Sequence, residues 1–107
     1  MTDYKPTTGI KHALSFLGYP YEIKFMDLEN VIYRNLNEMY DIEISGLDNN
    51  RENVNCIVYV WCKTPGMEIV EIYKDIHSLL DLKDLLGAIA LKYRNLDAEK
   101  LLYVKSR

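Results

Sequence analysis

The segment Asn55–Lys63, Asn-Cys-Ile-Val-Tyr-Val-Trp-Cys-Lys, narrows the folds open to this chain more than any other. Its β-branched and aromatic residues, bounded by turn formers, predict a strand. Side chains alternate along a strand, so Cys56, Val58, Val60 and Cys62 point one way and Ile57, Tyr59 and Trp61 the other. Both faces are apolar, as expected of a central strand that needs cover on each side. The same geometry bears on the cysteines. Residues six apart on one strand are separated by roughly 20 Å, well beyond disulfide reach, and their spacing is not that of a zinc-binding pair. Both are expected as free, core-packed thiols. Free thiols and the lack of a signal segment point to a reducing cytoplasm.

The neighbouring segments supply strands of the same kind. Tyr21–Phe25 reads as a short edge strand and Val31–Leu36 as a better one, followed by a tight turn at Asn37-Glu38 that lacks the glycine hairpins favour. Met39–Ser45 alternates cleanly, with Tyr40, Ile42 and Ile44 on one face and Asp41, Glu43 and Ser45 on a wet one. The polar run from Gly46 to Asn53 is expected as an exposed loop. It lacks the ligand spacing of a calcium loop. After the central strand, Thr64-Pro65-Gly66-Met67 signals a turn, and Glu68–Lys74 returns as a further strand with Ile69 and Tyr73 on one face and Val70 and Ile72 on the other.

Helices flank this meander. Ile10, Ala13, Leu14 and Leu17 make one apolar face of a short helix capped by Thr8 and stopped at Gly18, with residues 1–7 a loose arm before it. Ser78 opens a longer helix whose stripe of Leu79, Leu82, Leu86, Ile89, Ala90 and Tyr93 should lie on the sheet. Leu80, Gly87 and Leu91 form a second, weaker stripe. Glycine in mid-helix costs about 1 kcal/mol relative to alanine, so Gly87 is expected where another backbone comes close. Asn95-Leu96-Asp97 is expected to break the helix, leaving residues 98–104 as a short terminal helix or a strand. Strands grouped before the main helix predict a single α+β domain over residues 1–107: an antiparallel meander of three to five strands, with an N-terminal helix and a longer C-terminal helix packed on it.

The chain of 107 residues carries a net charge of −3, without the basic excess of a non-specific nucleic-acid binder. The charge is uneven: residues 1–54 hold five Lys/Arg against nine Asp/Glu, and residues 55–107 hold eight against seven. No apolar run approaches the roughly 18 residues of a membrane span. Chemistry is thinly represented. His77, beside Asp75 and ahead of Asp81 and Asp84, is best read as a surface residue before a helix cap, and the cysteines as core. No phosphate loop, metal-binding helix motif or nucleophile elbow occurs, so neither a catalytic activity nor a cofactor or metal is expected.

Aromatic residues stand out instead: there are nine tyrosines, more than a core of this size requires. With the strands in register, Tyr59, Trp61 and Tyr73 are expected on one side of the sheet, next to Glu71, Asp41 and Glu43. Tyrosine, tryptophan and methionine are enriched in interface cores. The expected function is therefore a cytoplasmic protein-interaction or regulatory module that self-associates as a homodimer. Its contact residues are Tyr59, Trp61, Tyr73 and Glu71 on the sheet, with Leu80, Gly87 and Leu91 as a second surface. The opposing reading is a plain monomer whose first helix covers the second sheet face. A rival from another class is an accessory nucleic-acid binder stacking bases on the aromatic face, helped by Lys92, Arg94, Lys100, Lys105 and Arg107; the carboxylates on that face oppose it.

The stretch Ile32-Tyr33-Arg34-Asn35-Leu36 through Tyr40-Asp41-Ile42-Glu43-Ile44-Ser45-Gly46-Leu47 resembles small uncharacterised proteins of Gram-positive bacteria and their mobile elements. That resemblance implies a bacterial cytoplasmic accessory protein and carries no catalytic motif.

Overall fold

The structure, a computed structural model, describes residues 5–105 along the backbone and the side chains of residues 5–94. Helix α1 (Thr8–Leu17) precedes five strands, β1 (Glu22–Met26), β2 (Glu29–Asn35), β3 (Tyr40–Ser45), β4 (Cys56–Cys62) and β5 (Glu68–Ile76), and helix α2 (Leu79–Lys105) closes the chain. The strands form one antiparallel sheet in the order β1-β2-β3-β4-β5, each paired to its sequence neighbour. This is the α+β meander expected, with five strands and both helices on the sheet.

Both helices lie in one layer. Ile10, Ala13 and Leu17 of α1 and Leu82, Leu86, Ile89 and Tyr93 of α2 share a core with Ile32, Ile42, Ile44, Val58, Val60 and Cys56. Those strand residues occupy one face: Ile32 pairs with Ile44, Ile44 with Val58, and Ile42 with Val60. Among the described residues the first helix therefore does not cover the second face, which is open over β5, although Val31 and Asp41 on it are buried.

Local chemistry explains the connections. The β1–β2 hairpin turns on Asp27 and Leu28 at φ of 50° and 63°, the left-handed pair of a two-residue hairpin built without glycine. At the next turn the Asn37 side chain replaces glycine's freedom, its Oδ1 accepting from the amides of Met39 (2.8 Å) and Tyr40 (2.9 Å). Helix α1 is capped by Thr7, one residue earlier than the sequence suggests, with Thr7 Oγ1 accepting from the Ile10 amide.

The polar loop after β3 is a clamp on α1. Asp48 Oδ1 accepts from the Thr7 amide at 2.9 Å, Asn50 Oδ1 accepts from the Gly9 amide at 3.1 Å, and Asn30 donates to Asp48 Oδ2 at 3.0 Å. Burial alone would raise the Asp48 carboxyl; these donors outweigh it and hold the group below the usual range. The end of the expected loose arm is thus fixed at Thr7, and residues 1–4 lie outside the described residues. Gly9 is where backbones meet: a Cβ there would stand 1.8 Å from the Asn49 carbonyl oxygen. Gly87 meets nothing within 4 Å, so the close approach expected there belongs to Gly9 instead.

Helix α2 starts at a serine cap, with Ser78 Oγ accepting from the Asp81 amide at 3.0 Å. It runs unbroken through residues 95–97 to Lys105, so the break expected there does not occur and residues 98–104 are helical. Asn, Leu and Asp each cost well under 1 kcal/mol in a helix interior, and neither proline nor glycine interrupts the run. No described helix is long and apolar enough to cross a membrane.

Candidate interaction surface

Two irregularities in the β4–β5 pairing decide which side chains reach the open face. Val60 pairs with Glu71 but Trp61 pairs with Ile69, so Val70 is an extra residue; a second shift lies between Cys56 and Val58. A bulge of this kind reverses the alternation on one strand only. Ile69 and Ile72 consequently stand beside Trp61 and Tyr59 on the open face, while Glu71 and Tyr73 stand beside Val60 and Val58 on the helix-covered face.

This corrects two expectations. Tyr73 does not share a face with Tyr59 and Trp61, and Glu71 is not a wet neighbour of Asp41 and Glu43. Glu71 instead anchors α2: its Oε2 accepts from the hydroxyls of Tyr73 and Tyr93, each at 2.8 Å, and its Oε1 pairs with Lys92. Burial pushes the Glu71 carboxyl up, but the donors Lys92, Tyr93 and Tyr73 prevail and hold it below its ordinary value. Burial and the same carboxylate raise the phenols of Tyr93 and Tyr73. Tyr93 also packs its ring against Tyr40 at 4.5 Å between centroids.

The open face divides into two zones. Over β4 and β5 lie Ile57, Tyr59, Trp61, Ile69 and Ile72, with Val70 at the edge; Ile72 is 48% exposed and Ile69 42%. Over β2 and β3 lie Tyr33, Asp41, Glu43, Ser45 and Glu29. There Tyr33 donates to Asp41 Oδ2 at 2.8 Å, Trp61 Nε1 donates to Glu43 Oε1 at 3.2 Å, and Ser45 donates to Glu29. Lys24 sits 3.9 Å above the Tyr33 ring. Asp41 is only 5% exposed although no helix covers it. Burial, then the bond to Asp41, pushes the Tyr33 phenol up to about 12. Burial also raises Glu43; the Trp61 donor opposes this, and the charges of Asp27, Glu29 and Asp41 add to it.

On α2, Leu80 is 61% exposed and Leu91 59%, with Gly87 open between them, so the second stripe faces solvent. The structure thus brings Tyr59 together with Trp61, and separately aligns Leu80, Gly87 and Leu91. Ile57, Ile69, Ile72 and Glu43 also lie on the open face, although none is among the expected contact residues; Ile57 and Ile69 stand on the face alternation gives them, whereas for Ile72 the bulge hid the correct parity. Of the residues considered for chemistry, His77 is exposed with Nδ1 3.4 Å from the Val54 carbonyl, and Cys56 is buried with its thiol pushed up to about 11 by that burial. Both cysteines are free. Among the described residues no three His, Cys, Asp or Glu side chains are grouped to hold a metal. The terminal side chains of Lys100, Lys105 and Arg107 lie outside the described residues.

No family model matches the sequence, and no curated protein or solved structure matches it either.

Proposed function

We propose that the protein is a small interaction module that self-associates through the open face of its sheet. The observation that carries this reading is the aliphatic and aromatic strip of Ile57, Tyr59, Trp61, Ile69 and Ile72, which no helix covers among the described residues. Contiguous exposed apolar surface on a small domain marks a binding site. The partner fitted to it is a second copy. A two-fold contact centred on β5 lays the strip against its own image, as an isologous interface requires. It leaves Asp41, Glu43 and Glu29 at the margin, giving an apolar centre and a polar rim. The β5 edge, nine residues long and unpaired on its outer side, borders the same strip and is a further template for an identical strand.

The carboxylates beside the strip turn away phosphate backbones, which favours a protein partner over a nucleic acid. Free cysteines fit a protein that works in a reducing cytoplasm. Trp61 is the chain's single tryptophan and lies in the strip, so its fluorescence reads the contact directly. As protein concentration rises, emission should move to shorter wavelength and acrylamide quenching should fall. Emission and quenching that stay constant from nanomolar to high micromolar concentration would contradict the reading.

A further inference from the structure

Away from the open face, beneath the solvent-facing stripe of α2, the molecule holds a positively charged groove. One cavity of about 400 Å³ is lined by Arg34, Asn37 and Arg94 above a floor of Gly87, Ala90 and Leu91. A second of about 190 Å³ shares Arg34 and Gly87 with it and reaches Tyr21 and Lys83. Three cationic side chains therefore line two adjoining spaces, and among the described residues neither lining includes a carboxylate.

Arg34 is the residue that demands an explanation. It sits on the helix-covered side of β2, opposite Ile42. Its only described hydrogen bond is from Nη1 to the neutral Tyr21 hydroxyl at 3.3 Å, and its guanidinium carbon lies 5.4 Å from the Tyr21 ring centroid. Its Nε is shut off from solvent and has no hydrogen-bond partner among the described residues. A half-buried guanidinium is normally paired with an anion, because desolvating the charge without one is costly. Gly87 supplies the space: its missing Cβ would meet nothing within 4 Å, and a larger residue would project into both cavities. This accounts for a glycine that weakens the middle of a helix.

We infer that this groove binds a small-molecule oxyanion, a phosphate or carboxylate group held by Arg34 with Arg94 and Lys83 on either side, whose apolar part rests on Gly87 and Leu91. The guanidinium fork matches either anion in a two-pronged contact. The site is distinct from the self-association surface and does not depend on it.

The test is an NMR titration of the full chain with inorganic pyrophosphate and, separately, with citrate, following the Gly87 amide and the Arg34 Nε–H. Saturable shifts at both groups are expected, with the stronger of the two probes assigning phosphate or carboxylate. Arg34→Gln should weaken binding about tenfold or more, the loss of one charged hydrogen-bonding partner. Gly87→Leu should abolish binding while leaving the remaining spectrum folded, and Lys11→Gln, outside both cavities, should change nothing. Shifts that never saturate, or that persist unchanged in folded Arg34→Gln or Gly87→Leu protein, would overturn the site.

Discussion

Glu71 on β5 and Glu43 on β3 lie on opposite faces of one sheet. Glu71 faces the helices and receives hydrogen bonds from two tyrosine hydroxyls and an ion pair from Lys92. Glu43 faces the open side, with a single donor in Trp61 and three acidic neighbours. The first carboxyl is held below its ordinary value and the second above it. Partial burial costs both groups something; what separates them is whether the surrounding side chains supply compensation. For Glu71 the covered face supplies that compensation in full, from three donors, whereas for Glu43 the Trp61 donor only offsets part of the burial and of the neighbouring negative charge.

Truncation of aliphatic residues should separate the faces most strongly. Ile44→Ala on the covered face, where the side chain is fully enclosed, should cost about 2–5 kcal/mol in urea unfolding. Ile72→Ala on the open face should cost the isolated subunit under about 1 kcal/mol. Equal losses at the two positions would erase the distinction. Gly9→Ala should follow at about 1–3 kcal/mol, as the added Cβ drives the Asn49 carbonyl away and loosens the clamp on α1.

The carboxylates sharpen the contrast through pH. Glu71 has a lowered value, so the folded state binds its proton less readily than the unfolded chain does. Its contribution is complete above the ordinary 4.5 and is lost as pH falls through the folded value. Glu43 has a raised value, so the folded state binds its proton more readily. Its charge is a penalty at neutral pH that is relieved as pH falls from the folded value toward 4.5. Glu71→Gln should cost about 1–3 kcal/mol at pH 7 and flatten the stability profile below pH 4.5. Glu43→Gln should cost little or nothing at pH 7 and remove the rise that wild type shows on mild acidification. Gly87→Ala should stabilise by about 0.5–1 kcal/mol because the methyl group meets no neighbour.

The apolar periodicities made most of the fold legible. Ile42 and Ile44 alternating with Asp41 and Glu43 fix one face of β3, and Leu82, Leu86, Ile89 and Tyr93 fix the buried stripe of α2. Three features escaped for distinct reasons. The bulge at Val70 arises from pairing geometry and leaves no mark in β5's own composition, so Tyr73 and Glu71 were expected on the wrong face. The Asp48 and Asn50 contacts span about forty residues, and polar loop residues look alike whether they face water or cap a distant helix. Arg34 sits at a covered position that alternation marks as apolar, and nothing local shows that its charge would lack a partner.

The most direct test of the open face as a self-association surface is solution mass by light scattering across protein concentration, for wild type and Ile72→Asp, with circular dichroism as the control for folding. Wild type should approach twice the 12.5 kDa chain mass, and folded Ile72→Asp should stay at the monomer mass. A wild type that remains monomeric at every concentration, or an Ile72→Asp variant that associates as wild type does, would contradict self-association through the open face.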